Sequence, residues 1–262
     1  MEGLKERKYL HTVKRRFDPI ALGVSVSGLM LMLTAVGGFN SIEHFWDARS
    51  FFIVVVGTFA SLLFQYDFSA CVNSLIQVTK SFIGTPEKKL LRLAKELDYA
   101  ILNRRQLGEL REGSEINGEL LNDVVYMSKQ GLLFDEVDEF VTAKIKDEFF
   151  NRQQSVQIMD RAALISPSVG LFGTVIGLVE VLKNLGTPAQ IGPSMSLALI
   201  TTAYGAGMAS ILFTPLAGRL SHHNAVFLEI HRQILSKIAI LMKRDERIDL
   251  DHENVDGSVV GL

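Results

Sequence analysis

Within the apolar stretch ISPSVGLFGTVIGLVEVL, residues 165–182, three side chains could do chemistry: Pro167, Thr174 and Glu180. A second apolar stretch, residues 191–218, carries Thr201, Thr202, Tyr204 and Pro215. A hydroxyl in a low-dielectric medium can replace part of an ion's hydration shell, which would otherwise be lost at high cost. Thr174 lies near the middle of its stretch, and Thr201 and Thr202 lie at comparable depth in theirs. Thr202 shares a helical face with Ala198 and Gly205, which makes it the better of the pair to line a polar path. A threonine in such a setting can equally bond back to its own helix. Tyr204 suits an interhelical hydrogen bond. Pro167 and Pro215 each remove a backbone N–H from a helical ladder and bend it, so two bends near one membrane face could form a hinge.

What is missing limits the chemistry further. No Asp, Lys, Arg or His stands in the middle of any apolar stretch, so the chain carries no titrating group for a proton relay at depth. Glu180 lies near the end of its stretch, three residues before Lys183, where it is either a functional acid or a group reaching the interface. His222, His223 and His231 all lie outside the apolar stretches and read as solvated or interfacial, and no cluster at metal-ligand spacing accompanies them. Cys71 is the only cysteine, which excludes an intrachain disulfide and a cysteine metal cluster. There is no Walker loop and no Ser-His or Cys-His pair that could meet in the membrane, so neither an enzyme nor a cofactor or metal site is expected. A net charge of −2 gives no sign of nucleic-acid binding.

The elements that must hold these residues are membrane helices. Among the 262 residues, 48% are hydrophobic, and charge is nearly absent from four blocks, 19–39, 50–66, 162–182 and 191–218. A span needs about 20 apolar residues, so three blocks are long enough and the second is short. Of the 27 Lys and Arg, six lie in residues 1–18, thirteen in 67–161 and six in 219–262, leaving Arg49 and Lys183 for the short loops. Basic residues favour the cytoplasmic side, so both termini and the middle segment are expected there. The expected fold is an all-α polytopic membrane protein with four transmembrane helices and a helical cytoplasmic domain. Its parts are a basic amphipathic leader (1–18), transmembrane helices 1 and 2 (19–66), the cytoplasmic domain (67–161), transmembrane helices 3 and 4 (162–218) and a C-terminal helix and tail (219–262). The leader suits either a helix on an anionic leaflet or a solvated basic stop.

The middle segment is patterned for helices. Leu90, Leu93, Ala94, Leu97 and Ile101 share one face, and Val137, Phe140, Val141 and Ile145 another, with Asp135 as N-cap. No breaker stands between Asp135 and Ser166, so one helix is expected to run on into the third span. Gly84, residues 112–115, Asn117-Gly118 and Gly131 read as breaks. Beyond the fourth span, Val226, Ile230, Ile234, Ile238 and Leu241 form a helical stripe, and the acidic end reads as a loose tail. In the third span Ser166, Gly170, Gly173 and Gly177 make a smooth face, matched in the fourth by Ala198, Thr202, Gly205 and Ala209. Small residues so spaced allow close approach of a neighbouring helix.

The segment SPSVGLFGTVIGLVEVLKNLGTPAQIGPSMSLALITTAYGAGMASILFTPLAGRL resembles the signature region of flagellar stator A subunits, the MotA/PomA family of the MotA/TolQ/ExbB superfamily. The layout of two spans, cytoplasmic helices, two spans and a tail is similar over nearly the whole chain. ExbB and TolQ have one span before the cytoplasmic region, whereas two precede it here. The resemblance implies a bacterial inner-membrane homopentamer around a dimer of a single-span MotB/PomB-like subunit, which supplies the ion-accepting aspartate. Pro167 and Pro215 match the family's inner-face prolines, and Thr174 and Thr202 match residues beside the ion path, where H+ or Na+ would pass. The family's contact with the rotor protein FliG uses an Arg, a Gly three residues later and a Glu eight residues later. In NRRQLGELRE, Arg104 and Glu112 fit that spacing with Leu107 in place of Gly, while Arg105 fits Gly108 but brings Glu112 one residue early. These charges could equally form a solvated helix face. The resemblance implies a motor subunit in which ion flux drives rotation. The alternative is an energiser of a non-flagellar machine for transport, gliding or defence.

Overall fold

The computed structural model describes residues 23, 27, 28, 31, 46–83, 87–107 and 119–259, and every regular element among them is helical. The leader, nearly all of the first expected span, and Glu112 lie outside the described residues. Helix α1 (Ala48–Leu63) begins where the Asp47 carboxylate accepts the Ser50 N–H at 3.0 Å, satisfying one of the free donors of the first turn. Its 16 residues rise about 24 Å, short of a roughly 30 Å hydrocarbon core. After a turn at Phe64–Asp67 the chain enters α2 (Phe68–Ile83), and the two helices are bent by 119°. In α2 Cys71 and Ser74 are buried, while Phe68, Val72, Leu75 and Ile76 are exposed.

Among the described residues two compact units follow from the packing: those up to Val78 with Ser155–Arg219, and those between Thr79 and Gln154 with those from Leu220 on. In the first unit, α1 packs on α6 (Pro188–Gly207). The Asp47 N–H donates to the Tyr204 hydroxyl at 3.2 Å and the Phe51 ring meets Tyr204 edge-on, so Tyr204 does bridge two helices. The single helix α5 (Phe134–Lys183) contains Pro167 without interruption and ends at a turn where Thr187 N–H donates to Asn184 O at 2.9 Å. Helix α6 then returns antiparallel to α5. It passes into a π-helical segment, Met208–Phe213, and on into α7 (Thr214–Val259). Pro215 accounts for the wide turn: it has no N–H, and its ring would clash with the carbonyl four residues back. Thr214 N–H instead reaches Ala209 O, five residues back.

By length and composition, α5 and the run Pro188–Ile248 can each cross a membrane, while Ala48–Leu63 and Phe68–Phe82 qualify only as a bent pair. The described residues thus hold two spans, or three with the bent pair.

The second unit is built from α3 (Glu87–Leu102), α4 (Glu119–Lys129), the start of α5 and most of α7. Leu93, Ala94 and Leu97 are buried as their spacing predicts, and so are Val137, Val141 and Ile145. Phe140 is 44% exposed, because the buried stripe follows 137, 141 and 145 and leaves it to one side. Asp135 falls in the first turn and not at the cap, since α5 already begins at Phe134. On α7, Ile230, Ile234, Ile238 and Leu241 are buried, with Phe227 rather than Val226 completing the stripe. The helix runs to Val259, past the apolar stripe and into the segment read as a loose tail. No proline interrupts it there. Gly131 ends α4 at φ 79°, a left-handed position that glycine takes without strain.

Candidate functional site

The α5–α6 hairpin brings the chemistry-bearing residues together. Its seam is made of backbone: a Cβ on Gly170 would stand 2.7 Å from Thr201 O, and one on Gly205 would stand 2.6 Å from Ser166 O. At Gly173 the obstacle would be Thr201 Cβ at 2.8 Å, and at Gly177 it would be Ala198 Cβ at 2.7 Å. The smooth face of the third span therefore receives the chain's own α6, and close backbone approach is what glycine permits there.

This packing sorts the two neighbouring threonines. Thr201 is fully buried in the seam, with its hydroxyl donating to Leu197 O at 3.0 Å and Ala198 O at 2.9 Å. Thr202, about 100° further round the helix, is exposed. It meets Thr174 across the hairpin, hydroxyl to hydroxyl. The Thr174 hydroxyl also lies 3.0 Å from Ala198 O and 3.2 Å from Gly170 O, and Thr202 lies 3.4 Å from Ala198 O. Three hydroxyls thus converge on one carbonyl, and two of them, Thr174 and Thr202, sit side by side on a face open to a partner. A hydroxyl offers one proton and two lone pairs, so the pair can accept from, donate to or partly solvate a passing ion or water. No charged group of the described spans stands beside them. Both threonines also bond back to their own helices, as the bond-back reading of a membrane threonine expects.

Pro167 lies inside α5, and Ser166 beside it is fully buried with its hydroxyl unpartnered among the described residues. Pro215 follows the π segment directly. Pro193, a third proline, stands inside α6 and carries no sequence signal beyond its type. The π turn was legible only as the absence of an N–H at Pro215.

In the second unit, Arg104 and Arg105 lie on a turn and not on a helix face. Arg105 N–H reaches Ala100 O at 3.0 Å and Arg104 N–H reaches Ile101 O at 3.4 Å, closing α3 with Arg104 in the left-handed region at φ 51°. A non-glycine residue there costs about 1 kcal/mol. The turn is held by α7: the Arg244 guanidinium donates to Ile101 O and Arg105 O, and the Asp245 carboxylate accepts Leu107 N–H at 2.9 Å. Leu107 is buried, so it serves as an anchor for the segment that follows. Arg105 also lies over the Tyr99 ring at 5.5 Å.

Of the three histidines expected to be solvated or interfacial, His231 is instead buried, being only 3% exposed. Its Nδ1 lies 2.9 Å from Phe227 O, and since a carbonyl only accepts, Nδ1 carries the proton. Its ring lies 4.0 Å from the Phe227 ring, whose other neighbour is the Arg152 guanidinium at 4.1 Å. Burial pulls the His231 pKa below the usual value, outweighing the Phe227 carbonyl and Glu148, which raise it. The i, i+4 spacing of Phe227 and His231 on a helix was the available signal. Among the described residues no group of acidic, His or Cys side chains could hold a metal ion.

Residues 113–233 match the model of the MotA/TolQ/ExbB proton channel family. Motility protein A of Cereibacter sphaeroides is 30% identical over 79% of this chain and 82% of its own length. Among solved structures, C. jejuni MotAB matches at a TM-score of 0.67 and 21% identity, covering 84% of this chain and 89% of that one. The flagellar MotAB stator complex from Bacillus subtilis matches at a TM-score of 0.65 and 16% identity, covering 89% of this chain and 98% of that one. The fold is that of these proteins, and by its sequence the chain belongs to the Motility protein A family of membrane ion channels.

Proposed function

We propose that this chain is the A subunit of an ion-driven flagellar stator, working with a single-span B subunit. The observation that carries the reading is the Thr174–Thr202 hydroxyl pair on the open face of the α5–α6 hairpin, in spans that lack a titratable group at depth. A path that has hydroxyls and no acid needs its carboxylate from a partner helix. Thr174 and Thr202 would then stand in for lost hydration water as the ion reaches that acid. Thr201 and Ala198 support the site from the seam. The fold shared with MotAB proteins supports a B-subunit partner. The assembly we propose has five copies around two B subunits, and the bias of Lys and Arg towards residues 1–18, 67–161 and 219–262 favours cytoplasmic termini. Pro167 and the Pro215–π segment are the places where the two spans could flex. Arg104 and Arg105, on a turn pinned by Arg244 and Asp245, would present charge to the rotor protein FliG, and Glu112 would join them by its spacing in the sequence.

The test is co-expression and copurification with a single-span MotB-like protein of the same organism, followed by a mass measurement. The expected mass corresponds to five copies of this chain and two of the partner. A monomer, or a complex without the partner, would contradict the proposal.

A further inference from the structure

A groove of about 410 Å³ runs between α1 and α5 in the first unit, away from the Thr174–Thr202 face. Along α5 its lining runs from Arg161 through Leu164, Ile165 and Ser168 to Val169 and Phe172, with Ser61 of α1 and Gln65 of the turn that follows it on the other side. The two helices touch where Gly57 meets Val169, and a Cβ on Gly57 would lie 2.7 Å from Val169. The groove therefore has polarity along its length: a guanidinium and an amide at the Arg161 end, aliphatic and aromatic carbon towards Phe172. Ser61 and Ser168 turn their hydroxyls to their own helices, at 2.8 Å from Gly57 O and 3.4 Å from Leu164 O, so the walls offer little to a polar chain. Arg161 makes no hydrogen bond or ion pair with any described residue.

We propose that this groove binds one anionic phospholipid, with its phosphate on Arg161 and an acyl chain along Leu164, Val169 and Phe172. The charge demands an anion. A basic pocket between membrane helices on the cytoplasmic side is the usual setting for an acidic headgroup, and the proposed orientation puts Arg161 on that side. Size also favours a lipid tail. A helix about 10 Å across fills roughly 420 Å³ per turn, so the groove would take only about one turn of a second helix. Arginine, with its planar fork of donors, holds a phosphate at two points and is weakly hydrated enough to do so at an interface.

The test is native mass spectrometry of the detergent-purified full-length chain titrated with phosphatidylglycerol or phosphatidylcholine. The expected result is one retained phosphatidylglycerol per chain, with phosphatidylcholine retained at least about fivefold less. Arg161→Gln should abolish that preference, and Arg161→Lys should keep part of it. Leu164→Trp should fill the groove and reduce retention of both lipids. Equal retention of the two lipids by the wild type, or an unchanged preference in Arg161→Gln, would overturn the proposal. Displacement of the lipid by millimolar inorganic phosphate would show that the headgroup alone is recognised and would also overturn it. A cysteine at Leu164, in a Cys71→Ser background, that forms a disulfide with a second copy would show that another chain fills the groove. None of these readouts needs the B subunit, so they are independent of the stator assignment.

Discussion

At the scale of single residues, two adjacent threonines on α6 have different surroundings because successive side chains on a helix diverge by about 100°. Thr201 is sealed against Gly173, with its hydroxyl shared by two carbonyls that already belong to the helix ladder. Thr201→Val keeps the shape and leaves no donor unpaired, so it should shift stability by less than about 1 kcal/mol. A thermal unfolding midpoint close to that of the wild type checks this, and an unfolded variant would contradict the burial argument. His231 behaves differently. Its pKa is lowered in the fold, so its contribution is fully present above the ordinary histidine value of about 6.5 and is lost as pH falls below that value. Thermal midpoints measured across pH 5.5 to 7.5 should fall on the acid side, and His231→Phe should flatten that dependence. An unaltered acid limb in His231→Phe would assign the pH dependence to other groups.

At the scale of elements, the α5–α6 hairpin depends on glycine where backbones nearly touch. Gly173→Leu would drive carbon into Thr201, for which even the first added atom lies at 2.8 Å. Overpacking of this kind costs about 1–3 kcal/mol where the surroundings can move, and more where they cannot. Because the seam joins two helices of one chain, the hairpin should open first and assembly should fail with it. Light scattering of the detergent-solubilised variant should give a reduced mass, and a wild-type mass would contradict the seam. The small-residue spacing made this element legible from sequence, but not which helix fills it: glycine marks a close approach and says nothing of the partner. The buried stripes through Leu93 and Leu97, and through Ile230, Ile234 and Ile238, were legible because one helical face buries them. The 119° bend after Leu63 was not, since Gln65, Tyr66 and Asp67 read as the end of a span and carry no direction. The π segment was equally hidden. It arises from a missing hydrogen bond at Pro215 that α7 could have accommodated as a simple kink.

At the scale of the whole molecule, the first unit carries the Thr174 and Thr202 hydroxyls and the second carries Arg104 and Arg105. Reversing Arg104 and Arg105 together to Glu should remove torque and leave membrane assembly intact, because both side chains are exposed while the turn is held through their backbone. Swimming at normal expression in that double variant would remove these residues from the rotor contact, and a contact made through charge should also weaken with salt. The ion path is the central claim, and it is tested by flux. The complex of this chain with its single-span partner, reconstituted in liposomes, should conduct ions. Thr202→Val, which keeps the shape and deletes one hydroxyl, should lower that flux by about tenfold or more at unchanged complex mass, since a hydrogen bond to a charged group contributes about 1.5–3 kcal/mol. Wild-type flux in Thr202→Val, or a larger loss in Thr201→Val, would show that the open face of the hairpin is not the path.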